Sequence, residues 1–112
     1  MDFPREMVGD ILVVTPQREY LDASNTKEFK RDMQPLLDAH TKVVMDLHRV
    51  ELVDSAACGA FIGFLRHLHA RGGEMKLCAI TKPVRTLFEL VRMPRIFDIF
   101  NTRDEALKAF QV

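Results

Sequence analysis

The order of apolar segments predicts an α/β fold: a mixed, mostly parallel sheet of four to five strands packed against about four helices. Three observations carry this. Short β-branched runs alternate along the chain with longer segments of helical period. Strands separated by helices return by right-handed crossovers and therefore pair in parallel. One early pair of strands is joined by a tight turn, which makes the sheet mixed. The 112 residues suit one compact domain over 1–112.

The first strand is expected over Phe3–Met7 and the second over Ile11–Thr15, with Gly9-Asp10 as the turn. A helix follows from about Thr26 to Ala39. Asn25 and Glu28 have capping-box spacing. Phe29, Met33, Leu36 and Leu37 fall on one face. Pro35 removes a helical hydrogen bond and should bend the last turn. KVVMDL (Lys42–Leu47) is almost continuously apolar, the pattern of a central strand covered on both faces. A second helix runs from Ala56 to Ala70 and is stopped by Arg71-Gly72-Gly73. MKLCAI (Met75–Ile80) is the next strand. Thr81 can cap a third helix with Pro83 in its first turn and Val84, Leu87, Phe88 and Val91 on one face. Pro94 ends it. RIFDIF (Arg95–Phe100) reads as a short last strand, and Thr102 with Glu105 caps a final helix through Phe110.

Hydrophobic residues make up 47% of the chain and charged residues 29%, a balance that buries a core without staples. Sixteen basic residues offset 16 acidic ones. That argues against a general nucleic-acid binder and against a polybasic membrane anchor. No apolar run is long enough to cross a bilayer. The start MDFPREMVGDI lacks the basic-then-apolar order of a signal peptide. Cys58 and Cys78 each sit inside an apolar element and read as buried free thiols, which suits a reducing cytoplasm. His67 and His69 point to different helix faces, and His40 and His48 have no ligand spacing, so no metal is expected. Neither a dinucleotide fingerprint nor a P-loop occurs, so no cofactor is expected. Cys58 lies in the first turn of a helix, but lacks the glycine-rich backbone and basic neighbour an activated thiol needs. No catalytic residue is assigned.

In sheets of this kind, function gathers where strand ends meet helix starts. Two loops qualify, REYLDASN and HRVELVDSAA. In LVDSAACGAFIGF (Leu52–Phe64), Ser55 is expected as the N-cap, accepting the N–H of Ala57 or Cys58. Asp54 would sit just outside, favoured by the helix dipole. Capping alone explains both residues. Ala57, Phe61, Phe64, Leu65 and Leu68 form a core stripe. Ala56, Gly59, Gly63 and Ala70, with Arg66, form the opposite side, flanked by Ile62 and His69. Two mid-helix glycines cost about 1 kcal/mol each against alanine. Small side chains let another backbone come close. Periodicity alone favours a neighbouring element of this chain over a separate partner.

Three features together resemble the STAS domain, in particular the bacterial anti-sigma-factor antagonists. They are Asp54-Ser55 leading a small-residue helix, Tyr20-Leu21-Asp22 before the first helix, and GGEMKLCAITKPVRTLFELVRMPRIFDIF (Gly72–Phe100). The resemblance spans residues 8–110 and is most specific from Gly72 to Phe100. It implies a mixed sheet backed by helices, and a function without catalysis. Such an antagonist binds an anti-sigma factor that is itself a serine kinase, which frees the sigma factor. The kinase phosphorylates a hydroxyl at the start of the second helix, and a phosphatase, a further implied partner, reverses this. The phosphate adds about −1.5 to −2 charges and repels or blocks the partner.

The family motif reads Asp-Ser-Ser/Thr-Gly-Leu-Gly, with the second hydroxyl as acceptor. Here the run is Asp54-Ser55-Ala56-Ala57-Cys58-Gly59. Ala56 stands at the acceptor position, Ala57 replaces a glycine and Cys58 a leucine; Asp22 and Gly59 match. The resemblance implies a partner-binding edge of Asp22, Asp54, Ser55, Ala56 and Gly59, with Gly63 beside it on the glycine face and the usual switch absent. Ser55 keeps a hydroxyl, which its expected capping role makes a poor acceptor. A monomer or weak dimer is expected, with no membrane insertion and no nucleic acid. Two alternatives come from other classes. One is a STAS regulatory subunit of a membrane transporter complex for lipid or sulfate; the other is an enzyme using Cys58.

Overall fold

The computed structural model describes residues 1 and 3–111. Its elements in chain order are β1 (Arg5–Val8), β2 (Ile11–Val14), β3 (Tyr20–Leu21), α1 (Thr26–Ala39), β4 (Lys42–Asp46), β5 (Leu52–Val53), α2 (Ser55–His69), β6 (Glu74–Cys78), α3 (Lys82–Leu90), β7 (Ile99–Phe100) and α4 (Arg103–Ala109). A five-stranded sheet has the order β1-β2-β4-β6-β7. β1 and β2 form the expected antiparallel hairpin, with Val8 facing Ile11 across Gly9-Asp10. Gly9 takes φ +61, a left-handed conformation that favours glycine. The remaining pairings in this sheet are parallel.

Alternation along the strands sorts their side chains between two cores. Leu12, Val14, Val43 and Met45 join the larger one, which α1, α2 and α3 cover. Ile11, Val13, Val44 and Cys78 join a smaller one against Ala106, Leu107 and Phe110 at α4. Covering on both faces is why KVVMDL lacks a polar side. Phe29 of α1 meets Phe61 and Phe64 of α2 edge-on, with ring centroids 5.6 and 5.1 Å away. Phe61 meets Phe88 of α3 at 6.2 Å. These edge-to-face contacts tie three helices into one layer. No helix among the described residues is long and apolar enough to cross a membrane.

Several ends depart from their sequence-based expectation. Asn25 precedes α1 but makes no side-chain cap. It is buried, accepting the Asp22 N–H at 2.9 Å and donating to the Tyr20 carbonyl at 2.9 Å. Glu28 pairs with Arg18 instead of closing a capping box. Thr81 stands at the start of α3, yet its hydroxyl donates to the Val50 carbonyl at 3.0 Å. Thr102 and Glu105 do form the expected box. Of RIFDIF only Ile99 and Phe100 pair as a strand. Met93–Arg95 coil into a 3₁₀ turn after Arg92, whose φ is +61. Phe97 donates back to the Met93 carbonyl and is buried in the main core. β3 and β5 were not expected at all. They pair in parallel as a separate two-stranded sheet, Tyr20 with Leu52 and Leu21 with Val53.

Two charged clasps hold the frame. Arg71 donates to the carbonyls of Leu37, Asp38 and His40, satisfying the open end of α1. Asp46, the last residue of β4, is 5% exposed. Arg103 donates to its Oδ2 through Nε and Nη2, each at 3.2 Å, and His48 donates its N–H to Oδ1 at 3.1 Å. A buried carboxylate tolerates burial only when paired and hydrogen-bonded in this way. The pair fastens the start of α4 to the centre of the sheet.

Candidate functional site

The short β3–β5 ladder brings the two candidate loops side by side. Leu21 is fully buried and anchors β3, while Tyr20 and Leu52 remain exposed. The Asp54 N–H donates to the Leu21 carbonyl at 3.3 Å, which keeps Asp54 extended, with φ −124. An N-cap needs that non-helical backbone. Asp54 is therefore the cap, and its Oδ1 accepts the Ala57 N–H at 3.0 Å. Its Oδ2 accepts the Ala23 N–H at 2.9 Å. One carboxylate thus starts α2 and pins the loop that leads into α1.

This corrects the expectation for Ser55. It is the first residue of α2, already helical and exposed, so capping does not occupy its hydroxyl. Asp22 folds onto its own loop: its Oδ1 accepts the N–H of Ser24 at 2.9 Å and the hydroxyl of Ser24 at 2.5 Å. Asp22 and Asp54 line a groove of about 400 Å³ with Tyr20, Leu52 and Val53.

The core stripe of α2 is buried as expected, from Ala57 to Leu68. The opposite side is open, which overturns the expectation of an internal neighbour. A Cβ added to Gly59 or Gly63 would meet nothing within 4 Å. Arg66, His69 and Ala70 are exposed, and Ala56 is half-buried. Ser55, Gly59 and Gly63 recur at i, i+4 and i+8, so they share one face over about 12 Å of helix. Gly63 also borders a groove of about 310 Å³ between α1 and α2, beside Lys30, Gln34 and His67. Asp22, Asp54 and Ser55 gather at the start of α2, and Gly63 lies two turns away. Sequence reasoning missed the Ala23 backbone contact and the exposed Tyr20–Leu52 pair, because two-residue strands have no readable period.

Both cysteines are buried and unbridged. Burial, and then the Asp54 carboxylate, raises the Cys58 thiol above its usual range. Burial, and then the Asp46 carboxylate, pushes Cys78 up to about 12. Both shifts oppose thiolate formation, the reverse of what a nucleophile needs. Among the described residues, no group of three His, Cys, Asp or Glu side chains could hold a metal ion.

A model of the STAS domain matches residues 3–106. The chain is 28% identical over 108 residues to the "Putative anti-sigma factor antagonist" of Thermotoga maritima, covering 95% of each protein. A crystal structure of such a protein from the same organism superposes with a TM-score of 0.90 at 27% identity, over 98% of this chain and 95% of that one. The anti-sigma factor antagonist SpoIIAA in its unphosphorylated form shares the fold, with a TM-score of 0.80 at 22% identity, over 98% and 96% of the two chains.

Proposed function

The chain belongs to the STAS domain family, and from that premise we propose that it is an interaction domain of the anti-sigma-factor-antagonist type. It docks on an anti-sigma factor of the serine-kinase kind through Asp22, Asp54, Ser55, Ala56, Gly59 and Gly63. The observation that carries this reading is the double use of Asp54, which accepts from both Ala23 and Ala57. That clasp presents the start of α2 and the Asp22 loop as one rigid edge, and the bare glycine face beside it lets a partner backbone approach. The names of the relatives support the same reading.

Ala56 stands at the position that the family motif gives to the phosphoacceptor, and a methyl group cannot accept phosphate. Ser55 keeps an exposed hydroxyl. A phosphate there would adjoin the Asp54 carboxylate, and like charges disfavour it. The domain therefore stays competent to bind when the kinase is active.

Calorimetric titration with an anti-sigma factor from the same genome tests the docking edge. Wild type binds, and Gly59→Trp weakens binding about a hundredfold or more with unchanged circular dichroism. Equal affinity of the two proteins refutes the edge. Incubation with that kinase and ATP leaves the intact mass unchanged, whereas stoichiometric phosphate on Ser55 refutes the loss of the switch.

A further inference from the structure

The parallel register sets Tyr20 directly beside Leu52. Both stay open to solvent, 47% and 58% exposed, and together they form an apolar ledge in the 400 Å³ groove. Carboxylates bracket it. Glu19 and Glu51 come immediately before the two ledge residues and are exposed, and Asp22 and Asp54 line the groove on the other side. Among the described residues none of these four acids lies in an ion pair. The cations nearest in sequence are Arg18, which Glu28 already holds, and Arg49. Formal net charge over the whole chain is zero, so this concentration of acid is local.

We propose that this ledge is the specificity element of the docking edge, receiving a partner segment that presents an apolar side chain flanked by lysine or arginine. The proposal rests on the docking reading above. Covering Tyr20 and Leu52 removes apolar surface from water, which supplies affinity. The acid collar then selects partners by sign: a basic flank pairs with it, and an acidic segment or an anionic lipid surface is repelled. The ledge adds Glu19, Tyr20, Glu51 and Leu52 to the contact, all four outside the Asp54–Gly59 run.

The test uses two synthetic probes on the full chain: a short peptide mixing leucine with lysine, and its leucine–glutamate counterpart. Amide chemical shifts are followed during each titration. The lysine peptide should shift Tyr20–Asp22 and Leu52–Asp54 saturably, and the glutamate peptide should not. Leu52→Ser and Glu51→Lys should each weaken the lysine peptide about tenfold, with unchanged circular dichroism because both side chains are exposed. Equal binding of the two peptides, shifts confined to other surfaces, or variants that bind like wild type would each overturn the proposal. The same variants are then titrated with the anti-sigma factor. If the factor binds wild type and both variants equally, the ledge fails while docking stands. If the factor does not bind but the lysine peptide occupies the ledge as described, the ledge stands while the docking reading fails.

Discussion

Replacing Asp54 with alanine removes two hydrogen bonds at once. The first is the N-cap bond to Ala57 at 3.0 Å, and loss of a cap costs about 1 kcal/mol. The second is the bond from the Ala23 N–H at 2.9 Å, a charged-acceptor bond worth roughly 1–2 kcal/mol. Asp54 is half-buried but Ala23 is exposed, so water partly replaces the second bond and keeps it towards the low end of the roughly 1.5–3 kcal/mol of a bond to a charged group. The sum is about 2–3 kcal/mol. At roughly 4 °C per kcal/mol for a domain of this size, the melting temperature should fall by about 8–12 °C. Asp54→Asn should cost about half as much, since one amide oxygen can serve one donor while the amide nitrogen confronts the other. Ser55→Ala should stay within about 0.5 kcal/mol of wild type, because Ser55 is exposed and caps nothing. Urea denaturation followed by far-ultraviolet circular dichroism measures all three. The reasoning is refuted if Ser55→Ala costs as much as Asp54→Ala, since Ser55 would then be the cap.

The glycines should separate by environment. Gly59→Ala and Gly63→Ala, facing open space, should each stabilise the protein by about 0.5–1 kcal/mol through helix propensity. Gly73→Ala should instead cost about 1–3 kcal/mol, because its Cβ would lie 2.4 Å from the Thr41 carbonyl oxygen; denaturant midpoints check all three variants. Cys78 should make the protein sensitive to alkali. A thiol whose pKa is raised on folding contributes stability that is fully present below the ordinary thiol value and is lost as pH rises from 9.0 towards about 12. Denaturant midpoints of wild type should therefore drop more steeply over that range than those of Cys78→Ala, and parallel curves would contradict it.

Much of the fold was legible because its signals are local. Phe29, Met33, Leu36 and Leu37 repeat at helical spacing, and α1 spans Thr26–Ala39 as read. KVVMDL announces a doubly covered strand, and β4 is one. Thr102 and Glu105 lie three apart and close their own box. Asn25 misleads for a related reason. Its side chain can cap a helix or brace a loop, and the buried Tyr20 carbonyl beside it decides for the loop.

The alternation of strands and helices, the core stripe of α2, the buried cysteines and the STAS resemblance are all readable from the order of residues along the chain. The first three follow from periodicity or residue type within a short span, and the resemblance from motifs spread over residues 8–110. Tertiary structure alone decided three things at the site. It paired β3 with β5, whose partners lie 32 positions apart and whose two-residue length carries no pattern. It moved the cap from Ser55 to Asp54, because that pairing holds Asp54 extended at the moment the helix begins. It left the glycine face of α2 open, because the other helices cover the opposite stripe. Neighbours on the chain fix which face is small; only the packing of distant elements fixes what that face meets.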